Sequence, residues 1–133
     1  MALPEEQIVG ETPAAGSIQG IEAGSGNELN VAWALDRLGH SYIYQYRVFD
    51  IGGVVGDFRL DYLVLTTVPF STPLEVFGEF WHRAQLEAED EFRLQMIEDH
   101  FRGQANDTVI IWGNESETRE QAFQAVLARI GPS

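Results

Sequence analysis

The chain has 133 residues, 44% hydrophobic and 11% aromatic, which suits one globular domain around a single core. Against 21 acidic residues stand 8 basic ones, a formal net charge of −13, and there is no cysteine. Disulfides, thiolate metal sites and cysteine nucleophiles are excluded, and because every basic residue is arginine, Schiff-base, P-loop and other lysine chemistry is excluded with them. No apolar run approaches the ~18 residues of a membrane span, and "MALPEEQIVG" lacks the basic start and apolar core of a secretory leader. An intracellular, cytoplasmic protein is the expectation. So acidic a chain repels free nucleic acid at long range.

Residues 1–24 are rich in Gly, Ala, Pro, Ser and Glu with no sustained apolar period, and read as a flexible or partner-binding arm. "SGNELNVAWALDRLGH" predicts the first helix. Ser25 and Glu28 have capping-box spacing, Val31, Leu35 and Leu38 recur at i, i+4 and i+7, and Gly39 ends the run. "SYIYQYRVF" (41–49) is aromatic and β-branched and predicts a strand, "DIGGVVGD" a turn, and "FRLDYLVLTTV" (58–68) a second strand. After "STP" comes a third strand, "LEVF". Residues 83–101 predict a charged helix with Phe92/Met96 and Ile97/Phe101 as i, i+4 pairs, and "DTVIIWG" is the wholly apolar run of a strand covered on both faces. "ESETREQAFQAVLARI" is an amphipathic closing helix stopped by Gly131 and Pro132. The order α-β-β-β-α-β-α fits an α/β protein with a small mixed sheet flanked by helices.

Residues 25–133 carry no dinucleotide fingerprint, zinc-protease motif or nucleophile elbow. What they offer is carboxylates and histidines: Glu28 in the first helix, Asp61 and Glu75 inside consecutive strands, His82 after the third strand, and Asp90 in the next helix. An ionised carboxylate in the apolar run "LDYLVL" has to be paired, hydrated or metal-bound. If the strands of Asp61 and Glu75 are neighbours, their like charges are costly unless a cation lies between them. Mg²⁺ takes one or two carboxylates plus water and substrate phosphates, polarises a phosphodiester and generates hydroxide, with His82 available as general base. Each residue also has a plain structural alternative. Glu28 caps its helix, Asp61 and Glu75 point to solvent, His82 is a hydrogen-bonded surface residue, and Asp90 pairs with Arg93 along an exposed helix face. His40 and His100 sit beside helix ends, where the dipole favours them as structural groups.

The segments "NELNVAWAL", "YQYRVF", "GDFRLDYLV", "LEVFGEFWH", "EDEFRLQMI" and "VIIWG", in that order from about residue 25 to 114, resemble the Vsr-like branch of the restriction-endonuclease superfamily, with "GEFWH" the most specific piece. The resemblance implies a restriction-endonuclease-like core across 25–133 and a Mg²⁺- or Mn²⁺-dependent DNA endonuclease or nickase of phage or mobile-element type. Carried over residue by residue, it implies Asp61 as the metal-binding aspartate and His82 as the base that activates water. Asp90 supports His82, and Glu28 is the helix glutamate near the metal. Glu75 falls on the second acidic position of the superfamily's D…(D/E)xK motif, with Phe77 in place of its lysine, which the Vsr-like branch does not use. Phe77 also stands where relatives place Asp or His before the glycine, and basic residues that hold a DNA backbone are scarce. DNA is the implied partner, reached with the help of metal or a basic partner protein. The competing expectation is a non-catalytic structural or assembly subunit that keeps the nuclease fold.

Overall fold

Six strands and three helices make up the residues described by this computed structural model, 16–48, 58–78 and 88–133. The first two strands, β1 (Ser17–Ile18) and β2 (Ile21–Glu22), form a hairpin within the segment read from the sequence as an arm. Its two-residue turn, Gln19-Gly20, has positive φ at both positions (53° and 81°), the geometry that matches the twist of paired strands. The hairpin is anchored rather than loose. Ile18 and Ala23 are buried in the main core, and the Gln19 amide brackets the next strand, donating to the Tyr42 carbonyl at 2.5 Å and accepting from the Tyr44 N–H at 2.8 Å.

Helix α1 (Gly26–Arg37) starts where the sequence places it. Ser25 is the N-cap and its Oγ accepts from the Glu28 N–H at 3.2 Å. Strands β3 (Tyr42–Arg47), β4 (Arg59–Val64) and β5 (Thr72–Phe77) form an antiparallel meander, and β6 (Val109–Trp112) joins the edge parallel to β5. The crossover between β5 and β6 contains α2 (Ala88–Phe101), and α3 (Arg119–Arg129), N-capped by Thr118, follows β6. The second strand is shorter than its apolar run suggests. Beyond Val64 the chain turns through 65–71, held by Asn106, whose Nδ2 donates to the Phe70 carbonyl at 2.7 Å and to Thr72 Oγ1 at 3.0 Å.

The mixed sheet is a middle layer. One face packs on α1 and α3 through Val31, Leu35, Tyr44, Tyr62, Val64, Leu74, Ile111 and Val126; the other packs on α2 through Val48, Leu60, Leu63 and Ile97. Buried polar groups also tie helix α1 to the turn between β6 and α3. Asn27 Nδ2 donates to the Gly113 carbonyl at 2.9 Å and to Ser116 Oγ at 3.0 Å, and Asn30 Nδ2 donates to the Ser116 carbonyl at 2.9 Å. Among the described residues no helix is long and apolar enough to cross a membrane.

In a regular strand every second side chain shares a face. Here that alternation inverts. Tyr42 and Tyr44 face α1 and α3 while Tyr46 and Val48 face α2; Tyr62 and Val64 face α1 and α3 while Leu60 faces α2. The inversion sits at Gln45, whose φ is +58°, and at Asp61 opposite it. The pairs on either side, Tyr44 with Tyr62 and Tyr46 with Leu60, keep one register, so no residue is inserted; the row itself is twisted through.

Candidate carboxylate site

The twisted row continues into β5, where regular β4–β5 pairing stops at Tyr62–Leu74, one step short of Asp61 and Glu75. Side chains take over from the ladder. The Asp61 N–H donates to Glu75 Oε1 at 3.2 Å, and the Val76 N–H donates to Asp61 Oδ2 at 2.8 Å. Asp61 and Glu75 thus lie on neighbouring strands, each carboxylate accepting a backbone N–H from the other's strand. Glu75 is a core residue, only 1% exposed, and the solvent-facing alternative does not apply to it.

Glu75 is met from the α2 side by Arg93. Its Nη2 lies 3.0 Å from Oε1 and 2.8 Å from Oε2, and its Nε lies 3.2 Å from Oε2. Nη2 also donates to the Arg59 carbonyl at 3.0 Å, and the guanidinium lies over the Phe58 ring, 4.5 Å from its centroid. The i, i+3 spacing of Asp90 and Arg93 suggested an exposed ion pair along the helix. Instead Asp90 is buried at 6% exposure, and Arg93 reaches down onto the sheet. Spacing along a helix reports neighbours on that helix and is blind to a carboxylate in the sheet beneath it.

Glu28 closes the site from the α1 side. Tyr44 Oη donates to Glu28 Oε1 at 2.6 Å and accepts from the Gly24 N–H at 3.0 Å, while Ser25 Oγ donates to Oε2 at 3.1 Å. A Cβ at position 24 would stand 2.7 Å from Glu28 Oε2, so the absence of a side chain on Gly24 makes room for the carboxylate. A mainly polar cleft of about 250 Å³ lies here, lined by Gly24, Ser25, Asn27, Glu28, Val76, Phe77 and Gly78. It opens at the carboxyl end of the parallel β5–β6 pair and the amino end of α1, the part of an open sheet where ligands usually bind. Phe77 is buried edge-on against Trp112 with centroids 5.7 Å apart.

The electrostatics follow from this packing. Burial raises the Asp61 carboxyl well above the ordinary aspartate range, and the negative charges of Glu75 and Glu28 add to the rise. Burial also raises Glu75, with the Arg93 charge limiting the rise. Tyr44 is raised by burial and by its bond to Glu28, so it stays a hydrogen-bond donor. The oxygen donors of Glu28, Asp61 and Glu75 are of the kind that Mg²⁺ or Mn²⁺ takes, and a cation would relieve the repulsion that raises Asp61. Among the described residues, however, no three His, Asp or Glu side chains stand together as a ready ion site.

His82 lies outside the described residues, as do Trp81 and Arg83. The other two histidines are tied into the fold. His40 joins the Gly131 carbonyl through Nε2 and Thr66 Oγ1 through Nδ1, each at 2.7 Å, and His100 packs against Tyr46 and Phe101. Sequence reading missed Arg93, Tyr44 and Gln45 as parts of the site. The signal for Tyr44 was there, in a strand crowded with tyrosines facing a helix that carries Glu28.

No protein-family model, curated protein or solved structure matches this chain.

Proposed function

We propose that the chain is a divalent-cation-dependent DNA endonuclease or nickase with a restriction-endonuclease-like core, centred on the row Gln45–Asp61–Glu75. The observation that carries this reading is Asp61 itself. Its carboxyl is raised first by burial and then by the charges of Glu75 and Glu28, on a row where backbone regularity is given up in both neighbouring strands. Such local strain costs on the order of 1–3 kcal/mol and clusters at functional sites. Asp61, Glu75 and Glu28, which do not stand together as a ready ion site in this structure, would have to converge to hold Mg²⁺ or Mn²⁺, which when bound polarises a phosphodiester and lowers the pKa of water. The chain's own groups do the rest. Tyr44 and Ser25 orient Glu28, the amino end of α1 turns its partial positive charge toward an anion in the cleft, and His82, supported by Asp90, takes the proton from the attacking water. At −13 the domain needs the cation, a basic partner or a larger complex to approach DNA. We place it inside the cell, in the setting of phage or mobile-element DNA.

The test is nicking of supercoiled plasmid at low salt with Mg²⁺ or Mn²⁺. The wild type is expected to nick, and Asp61→Ala and His82→Ala are expected to lose about 10²-fold or more. A folded wild type that nicks with neither ion overturns the reading.

A second reading, a non-catalytic structural or assembly subunit that keeps the fold, is favoured by two observations. Arg93 supplies Glu75 with a cation from within the chain, and Phe77 is spent on packing. Three further arginines point the same way, since Arg129 is paired with Glu115, and Arg37 and Arg119 lie over Trp33 at 5.3 and 4.9 Å.

A further inference from the structure

The layer under α2 is unevenly filled. Its core of Val48, Leu60, Leu63 and Ile97 lies over β3 and β4. On β5 and β6, Leu74, Val109 and Ile111 turn to the α1–α3 side, so strand alternation aims Pro73 and Ile110 at the α2 side. There they line a cavity of about 320 Å³, bounded across from the sheet by Leu94, Ile97 and Phe101 of α2. A dry apolar cavity of about 150 Å³ is enough to hold benzene, so this one has room for a ring and a short chain. Its walls are fixed without a ligand. Phe101 is stacked on Tyr46 with centroids 5.9 Å apart. After α2 come two residues of positive φ, Arg102 and Gly103 (50° and 79°), and the chain turns back along the cavity. Asn106 pins that return, its N–H donating to the Ser71 carbonyl at 2.9 Å and its Nδ2 to Thr72 Oγ1 at 3.0 Å. The polar part of the lining is all of one kind. The Glu98 and Asp107 carboxylates and the Thr108 hydroxyl have no hydrogen-bond or ion-pair partner among the described residues, and no arginine or histidine joins them there.

We propose that this cavity binds a small organic cation, a primary ammonium carried on a single aromatic ring. The ring enters the apolar part, between Pro73 and Ile110 on the sheet and the α2 side chains. The ammonium stays at the acidic rim, where two carboxylates and a hydroxyl match its three N–H donors in number. An anion of the same shape meets two negative charges there, and a neutral arene gains nothing from them. Two exposed carboxylates over an apolar floor are far from the six or more oxygens of a Mg²⁺ or Ca²⁺ site. A largely apolar cavity with a few convergent polar groups is the usual form of a small-molecule site. The cavity lies at the amino ends of β5 and β6, whereas the Glu28 cleft lies at their carboxyl ends. The two are therefore separate, and this site stands whether or not the chain cuts DNA.

The experiment is a phenethylamine titration of the ¹⁵N-labelled full chain at neutral pH, read by amide shifts. Salt at about 0.15 M screens attraction beyond roughly 8 Å, which matters in so acidic a chain. Saturating shifts are expected at Gly103, Ala105, Thr108 and Ile110, with a Kd of about 1 mM or tighter, reasonable for a ligand of this size. Two probes divide the ligand. Ethylamine, which lacks the ring, and 3-phenylpropionate, which carries a carboxylate instead, are each expected to bind about tenfold or more weakly. Two variants divide the site. Glu98→Gln/Asp107→Asn changes exposed side chains, keeps the fold, and is expected to lose about tenfold in affinity. Ala105→Trp places an indole in the cavity and is expected to abolish binding; should it not fold, the ethylamine comparison tests the apolar part in its place. No saturable shift by about 10 mM phenethylamine overturns the proposal. Shifts scattered over the acidic surface and matched by ethylamine also overturn it, because they report charge attraction only. Equal binding of 3-phenylpropionate overturns it as well, because the rim then does not select a cation.

Discussion

Asp61 and Glu75 clasp each other's strands. The Val76 N–H donates to Asp61 Oδ2 at 2.8 Å and the Asp61 N–H donates to Glu75 Oε1 at 3.2 Å, where a regular ladder would use main-chain partners. Two acidic groups thus stand in place of ordinary pairing, and the energetic consequence falls on Asp61. Its carboxyl is raised above the usual 3.8 by burial and by Glu75 and Glu28. A carboxyl with a raised folded pKa favours folding fully below its unfolded pKa, and that contribution is lost as pH rises through the folded value. In chelator, Asp61→Asn is therefore expected to raise the Tm at neutral pH, with each kcal/mol worth about 3–6 °C at this size. The gain should vanish below pH 3.8, where Asp61 is protonated in folded and unfolded chain alike. Scanning calorimetry across pH checks this, and a gain that grows toward acid would contradict it.

Glu75 at 1% exposure depends on Arg93, whose side chain is 33% exposed. Removing one member of a buried pair leaves the other uncompensated, at about 3–5 kcal/mol. Arg93→Met in metal-free buffer is expected to lose on that order, whereas Glu75→Gln/Arg93→Met should recover most of the loss. Urea unfolding of the double-mutant cycle reads the coupling directly, and additive losses would mean that the two side chains do not act as a pair.

Glu28 is held by contacts narrow enough to disturb singly. Gly24→Ala places a Cβ 2.7 Å from its Oε2, and the carboxylate, at the end of a flexible side chain, moves away. Stability is expected to fall by about 1 kcal/mol or less, because no backbone must shift, while Mn²⁺ affinity and nicking fall more steeply. Tyr44→Phe removes the donor to Glu28 and the acceptor of the Gly24 N–H and is expected to cost about 1–3 kcal/mol. Parallel Tm and Mn²⁺ titrations separate the two cases.

Asn27 holds α1 to the turn after β6 with one amide, shared between the Gly113 carbonyl and Ser116 Oγ. Asn27→Ala removes both bonds, while the Gly113 carbonyl keeps the Ser116 N–H, and is expected to cost about 1–3 kcal/mol. Urea denaturation should show a lower midpoint with an unchanged slope, since the surface exposed on unfolding stays the same.

The sequence made the layers of this protein legible because its strands are aromatic and β-branched and its first helix carries a side-chain cap at Ser25. Asp61 and Glu75 stood out for the same reason, as charges in apolar runs. Three features stayed hidden. The β1–β2 hairpin has strands of two residues each, too short for any period to register. The inversion at Gln45 requires a positive φ in a residue that carries no glycine-like signal, and without it the alternation of Tyr42, Tyr44 and Tyr46 assigns all three to one face. The reach of Arg93 onto Glu75 is a tertiary contact across 18 positions, invisible to helix spacing.

The hairpin ends in a device with a wider consequence. β3 is an outer strand of the sheet, and its outward Tyr42 carbonyl and Tyr44 N–H are the groups on which a foreign strand would dock. The Gln19 amide, held out on its left-handed turn, answers both at once and imitates one rung of a neighbouring strand. A single side chain thus blocks strand docking at that rung. Among the described residues the opposite border of the sheet runs along Val109–Trp112.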